Sequence, residues 1–508
     1  MSLRYSGERF KRGLLHFVLG KAVSAASGFF AMVLVVRLLS IHEFANYSVL
    51  VSLVEIFTAF SGLGLSHALL RYVPELYVNH YKVAQQNFIF CAFTLRTGAL
   101  MLATGLTYVW AEALAYVIGL GDFVEAFKVF LLVVLFRTTS HFLSQILEST
   151  LHQGIVQFVF AVSAVSRLVG MVYLMQLDRV GLMNVVWVEV IGDVLGLVFM
   201  LAGVGQVIWR AAQEQVCPMD DGTWLKNNLR YIANFAFTGY VQHIVGLPYG
   251  SNTNRLVGGH LFSSPVMANF GFALSLYEYI KRYLPAQLLV GLIRPIVVAR
   301  YCEKQDFSAA AATCKRVVVI NIALIGGFFS ALAVGRAEML ACVSGGKYGM
   351  EALWLLAALL VVLALETHRL ILEMLVQTVG RYGILIPSNT LLSLSILPAI
   401  FFFPHLGAIG FPLINVVALV FSNLWVNRQL AAEECFIGHP WRSTAKVFGL
   451  VLVVSLIGNA YRYTGLHWLL SMGIAEILFL VGVWQLHRRD LKDFIADMVG
   501  DRKEVILA

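Results

Sequence analysis

A set of ionisable side chains lies inside stretches of sequence that are otherwise apolar. The cations are Lys21, Arg96, Lys128, Arg137, Arg167, Arg255, Lys281, Arg282 and Arg369, and the acids are Glu55, Glu189, Asp193, Glu278, Glu366, Glu373 and Glu476. A charge at bilayer depth costs at least about 2.5 kcal/mol on insertion scales, so it normally faces a cavity or a partner. The excess of cations is the informative feature. A path for cationic drugs or sodium alone would be acid-rich, whereas an anionic cargo suits this set.

In the first half, Lys21, Arg96, Arg137 and Arg167 come from four different apolar stretches. Converging on one water-filled chamber, they would hold a phosphate or pyrophosphate through charge-assisted hydrogen bonds. Pairing of Arg137 or Arg167 with Glu189 or Asp193 as structural glue is the alternative, and the two can coexist. In the second half, Lys281 and Arg282 follow Glu278 by three and four residues, and Arg255 lies towards the outer end of its stretch. Adjacent mid-membrane cations of this kind read as a binding feature. Glu366, Arg369 and Glu373 share one helical stripe and read as an intrahelical salt-bridge ladder. Glu55 and Glu278 are carboxylates that could carry a coupling proton if burial keeps them neutral, or could serve helix packing.

Other chemistry is excluded. The six cysteines form no CxxC, His368 has no second ligand at useful spacing, and Asp220-Asp221 is a lone acidic pair, so no metal site is expected. There is no Walker A loop, no GxSxG, no HExxH and no polar region large enough for a nucleotide-sugar domain, so neither catalysis nor a cofactor is expected.

The elements that must position these charges are membrane spans. At 508 residues, 59% hydrophobic and 13% charged, with a mean hydropathy of +0.78, the chain lies outside the soluble range. Runs such as Val451 to Leu456 are unbroken rather than alternating, which excludes a barrel. Spans are expected near 14–36, 47–70, 88–111, 126–148, 155–178, 181–205, 235–259, 270–293, 317–339, 351–376, 384–404, 407–428, 446–461 and 466–486. Counting Arg336, Arg428 and Lys446, at span ends, with the adjoining loops, 23 of the 37 Lys and Arg residues fall in even-numbered loops and the termini, five in odd-numbered loops, and the remaining nine (37 − 23 − 5) inside spans. Both termini are then cytoplasmic, and the net charge of +8 reflects orientation rather than nucleic acid. The basic N-terminus runs into a full-length span with no cleavage site, so no signal peptide is expected.

Adding 223 to positions 38–71 gives 261–294, and ten of the 34 pairs are identical, among them Asn46/Asn269, Glu55/Glu278 and Arg71/Arg294. The matched stretches fall on the second and eighth spans, six helices apart, which keeps the direction through the membrane, so the halves are parallel repeats. The fold expected is an all-α polytopic membrane protein of about fourteen transmembrane helices: two parallel six-helix repeats plus two C-terminal helices. The divisions expected are an N-lobe over 1–215, a C-lobe over 216–432, two further spans over 433–486 and a cytoplasmic amphipathic tail over 487–508. Gln206 to Arg230 reads as the linker between lobes. Pro285, Pro398 and Pro412 mark expected kinks.

Several stretches together resemble the polysaccharide exporter branch of the MOP superfamily, the Wzx-like oligosaccharidyl-lipid flippases. They are Arg37-Leu-Leu-Ser-Ile-His-Glu-Phe-Ala-Asn-Tyr47, Leu63-Gly-Leu, Leu70-Arg-Tyr-Val-Pro-Glu-Leu76, Asn254-Arg-Leu-Val-Gly258, Arg294-Pro295, Gly345-Gly-Lys-Tyr348 and Gly407-Ala-Ile-Gly410. Their order and spacing match over most of 1–430, and Asn254 departs where members often carry an acid. The resemblance implies a two-lobed core of twelve helices plus two. It implies movement of an undecaprenyl-pyrophosphate-linked oligosaccharide between leaflets of a bacterial cytoplasmic membrane by alternating access, with polymerase or assembly proteins as further partners. The alternatives weighed are a MATE-like drug/cation antiporter, a polytopic acyl- or glycosyltransferase using His368 or His243 as base, and a scaffold in a polysaccharide assembly complex.

Overall fold

The computed structural model describes residues 7–78, 81–150, 152–212, 223–287, 307–379, 382–432 and 438–500. Among them the secondary structure is helical, with short 3-10 turns and no strand. Ten helical stretches are long and apolar enough to cross a membrane. This is an all-α, multi-pass membrane protein.

The first compact unit is Met1–Gly271. It holds α1 (Gly7–Leu38), α2 (Ile41–Gly62), α3 (Leu65–Val78), α4 (Lys82–Val109), α5 (Ala111–Val117), α6 (Val124–Ser149), α7 (Gln153–Leu174), α8 (Leu182–Ala212), α9 (Trp224–Gly246) and α10 (Ser251–Leu261). Here α1 lies along α7, α6 and α7 pack on α8, α10 lies along α2, and α9 runs beside α3. Leu69, Val73, Phe88, Phe142, Leu147 and Val156 are among the residues of one buried apolar cluster joining α3, α4, α6 and α7. Ser40 opens α2 with a capping box, its hydroxyl accepting from the Glu43 amide while Glu43 accepts from the Ser40 amide. The other Glu43 oxygen accepts the Leu182 amide, which ties the start of α8 to the start of α2.

The second unit is Phe272–Ala508. After α11 (Ser264–Tyr283), which begins in the first unit, it holds α12 (Phe307–Ser344), α13 (Met350–Val379), α14 (Leu385–Leu394), α15 (Ile396–Leu406), α16 (Gly410–Ala432), α17 (Trp441–Tyr463) and α18 (Trp468–Gly500). Helix α12 packs on α13, α17 and α18, and α13 and α14 pack on α16. Asn46 in α2 and Asn269 in α11 each donate to the carbonyl four residues back, of His42 and Pro265, as Asn228 and Asn459 also do in their own helices.

Several spans are broken, some of them at proline. The second span begins earlier than the sequence indicates and divides at Leu63 and Gly64, both at positive φ, into α2 and α3. Pro248 ends α9 and separates it from α10, so the seventh span is not the single helix expected. Pro285 stops α11 at Tyr283, and Pro398, lacking the N–H that would bond Leu394, divides α14 from α15 at Ser395. Pro412 lies in the first turn of α16, where proline is tolerated, and causes no kink.

Helix α12 kinks at Arg336, a non-glycine at φ 47. The kink frees carbonyls, and α17 satisfies them: Arg462 donates to the Val334 carbonyl at 2.6 Å and Asn459 to that of Ala333 at 3.2 Å. Arg462 also pairs with Glu338 at 2.7 Å. Truncating Arg462 to Ala is therefore expected to cost about 1–3 kcal/mol, measured as a lower thermal midpoint in detergent, since the freed carbonyl would lose this donor.

The expected linker falls partly outside the described residues, which omit 213–222 and with them Cys217 and Asp220-Asp221. Arg294-Pro295 also lies outside them, as do the side chains of Leu491, Phe494, Ile495, Met498 and Val499 in the expected amphipathic tail. The backbone of α18 continues through that segment after a bend at His487. Among the described residues Cys91, Cys314 and Cys342 form no disulfide.

Candidate functional site

In the first unit the charges meet on three helices. Glu189 and Asp193 stand four residues apart on α8, hence on one face. Ser163 and Arg167 share the same spacing on α7, and Arg137 faces both from α6. Arg137 bonds Asp193 through Nε at 3.1 Å and through the guanidinium end at 2.8 Å, and its NH2 also reaches Glu189. Arg167 pairs with Asp193 and lies 3.2 Å from Glu189, while donating to the Ser163 hydroxyl at 3.0 Å. Tyr47 of α2 donates to the second Glu189 oxygen at 2.9 Å. Gly192 makes the approach possible, because a Cβ there would stand 2.5 Å from Arg167 Cγ.

Two guanidinium groups and two carboxylates give this cluster no net charge. Glu189 and Asp193 are buried, and the cluster matches the pairing alternative read from the sequence. Arg96 is not part of it. Its NH1 donates to Ser66 at 3.0 Å and its guanidinium lies 4.4 Å from the Phe142 ring centroid. Lys21 is the electrostatic neighbour of Glu148 at the far end of α6. Glu55 accepts from Asn252 of α10, and Asn252 in turn accepts from Arg255 at 3.4 Å, which places Arg255, almost wholly buried, one turn along α10.

In the second unit Lys281 pairs with Glu366 at 2.8 Å, and Tyr277 donates to the same carboxylate at 2.5 Å. Arg282, its neighbour in sequence, points elsewhere. It is exposed, 5.8 Å from the Tyr279 ring, with no carboxylate at ion-pair distance among the described residues. Glu366 thus leaves the expected ladder, of which only Arg369 to Glu373 at 2.8 Å persists. Arg369 is a buried hub that also reaches Ser388, Ser422 and Asn389 on α14 and α16. Glu278 shares α11 with Lys281, and Glu476 of α18 accepts from Ser330 of α12. Lys128 pairs with Glu125 at the surface.

The histidine weighed as a base, His368, is buried against Asn427 and the ring of His439. Burial lowers the affinity of His439 for a proton, in the loop before α17. Among the described residues no group of three or more metal-ligating side chains occurs.

The sequence reading missed Tyr47 and Tyr277 as carboxylate partners. Tyr277 was accessible to it, since Tyr277 and Lys281 are four apart on one helix, while Tyr47 reaches Glu189 across 142 residues.

No family model matches the chain, and no curated protein matches it. Solved structures do. The lipid II flippase MurJ in an inward closed conformation aligns at a TM-score of 0.66 and 12% identity, covering 93% of this chain and 98% of that one. An inward-facing multidrug resistance MATE family transporter of the MOP superfamily aligns at 0.55 and 15%, covering 82% and 94%. A variant of the MATE transporter VcmN from Vibrio cholerae aligns at 0.53 and 12%, covering 84% and 99%. The fold is that of the MOP superfamily.

Proposed function

We propose that this chain is a flippase that moves an undecaprenyl-pyrophosphate-linked oligosaccharide across the bacterial cytoplasmic membrane for surface polysaccharide synthesis. The observation that carries the reading is the division of the cations. Carboxylates neutralise Arg137, Arg167, Lys281 and Arg369, whereas Arg282 is exposed, with an aromatic neighbour and no acid at ion-pair distance among the described residues. A guanidinium so placed suits the planar, doubly accepting oxygens of a pyrophosphate. The acid-locked pairs hold helices, and Arg282 serves the cargo. The resemblance of the sequence motifs to the polysaccharide exporters supplies the lipid class.

Deleting the gene is expected to make lipid-linked glycan accumulate in the cytoplasmic leaflet and to leave resistance to cationic drugs unchanged. The opposite pair of results, lost drug resistance with normal surface polysaccharide, identifies an antiporter and rejects the proposal.

A further inference from the structure

Another exposed cation, in the first unit, has no acid at ion-pair distance among the described residues. Arg71 on α3 is exposed, and its guanidinium carbon stands 4.7 Å from the Phe235 ring centroid, 5.3 Å from Tyr72 and 5.9 Å from Tyr231. Tyr72 is the hub of the surrounding aromatics, packing edge-on against Phe88, Trp224, Tyr231 and Phe235. Among the described residues the Arg71 guanidinium makes one hydrogen bond, a long one of 3.5 Å to the Tyr231 hydroxyl. No carboxylate among them reaches it at ion-pair distance, although Glu75 lies one turn further along α3.

Aromatic faces around a guanidinium hold its position and leave its in-plane N–H donors unspent, and arginine has five of them. Such a group is complete only when an anion with several oxygens meets its edge. Depth decides the kind of anion. On the orientation set by the loop charges, α3 descends from mid-membrane towards the cytoplasm, and Arg71 lies seven residues, about 10 Å at 1.5 Å per residue, beyond the Gly64 break. Trp224 and Tyr231 at the start of α9 are the residue types that sit at headgroup level. Leu70 beside Arg71 is half exposed, as is Tyr231, so apolar surface adjoins the cation. Lys226 and Arg230, both exposed on the same stretch of α9, add positive charge.

We propose that Arg71, held by Tyr72, Tyr231 and Phe235, is a binding site for the phosphate of a cytoplasmic-leaflet lipid headgroup. The site is distinct from Arg282 and stands whether or not the protein moves its cargo. A free phosphate would gain nothing from the adjoining apolar surface, so the ligand is a lipid rather than an inorganic anion.

The test is binding of a short-chain phosphatidic acid to the purified full-length protein in detergent, read by native mass spectrometry, with the matched diacylglycerol and inorganic phosphate as comparisons. Wild type is expected to bind phosphatidic acid, and to bind neither comparison at the same concentrations. Arg71→Gln is expected to weaken binding about tenfold, the equivalent of one charge-assisted contact. Phe235→Leu, which keeps apolar volume but removes the ring nearest the guanidinium, is expected to weaken it less, and decides the matter if Arg71→Gln does not fold. Unchanged affinity in the folded variants overturns the site, and equal binding of inorganic phosphate overturns the lipid assignment. Because binding is read without transport, failure here leaves the flippase reading standing, and failure of transport leaves this site standing.

Discussion

Replacing Arg137 by Gln is expected to destabilise the first unit by about 3–5 kcal/mol, the cost of leaving buried charge without its partner. Arg137 bonds both acids of α8 from α6: Asp193 through Nε and NH2, and Glu189 through the same NH2. Without it, Glu189 and Asp193 keep only Arg167 as a cation among the described residues, and two buried carboxylates would share it. Equilibrium unfolding in mixed detergent micelles measures the loss. The ion-pair assignment makes a further demand. In the double variant Arg137→Gln, Glu189→Gln part of the stability should return, giving a coupling energy on the order of 1–3 kcal/mol. Additive losses would mean that Arg137 acts through packing and not through the carboxylates.

Gly64→Ala is expected to be comparably damaging, by a different physical route. Gly64 has φ +68, and a Cβ on it would lie 1.8 Å from the Ala236 carbonyl oxygen of α9. The obstacle is backbone, so no rotamer change relieves it. The left-handed conformation adds about 1–2 kcal/mol to an overlap worth at least about 1–3 kcal/mol. The variant must either move α9 away from the α2–α3 break or fail to fold. At Gly62, two residues earlier, an added methyl would meet nothing within 4 Å, and Gly62→Ala should leave the thermal midpoint unchanged or slightly higher. Equal behaviour of the two variants would show that the close approach of α9 to the break does not matter to stability.

Much of the architecture was legible because its causes are local. Apolar runs long enough to span act within a few tens of residues. The breaks were legible only where proline marks them, and then imperfectly: Pro412 starts a helix, while the division at Leu63 and Gly64 carries no proline at all. The ionic pairs divide in the same way. Glu189 with Asp193 and Ser163 with Arg167 could be placed on shared faces by their spacing of four. Whether Glu366 turns along its own helix to Arg369 or across to Lys281 is set by how α13 meets α11, and no spacing within α13 reports that. Arg71 was hidden for a related reason. It sits at a span end, where a basic residue ordinarily marks orientation, and its aromatic surroundings come largely from α9, 160 residues away at Tyr231.

The pairing pattern also explains why a count of intramembrane cations overstates the positive charge offered to a cargo. An arginine opposite a carboxylate contributes position and rigidity, and its field beyond the pair is weak. The residues that matter for an anion are those without an acid, and in the second unit that criterion separates Arg282 from the adjacent Lys281.

The most direct measurement is the leaflet distribution of a lipid-pyrophosphate-linked oligosaccharide in proteoliposomes holding wild type, Arg282→Gln or Glu373→Gln. Wild type is expected to bring the glycan to the opposite leaflet, Arg282→Gln to slow this about tenfold, and Glu373→Gln, altered in a structural pair, to retain most of the rate if it folds. Folded wild-type protein that moves no such glycan, or an Arg282→Gln variant that moves it at the wild-type rate, would contradict the account.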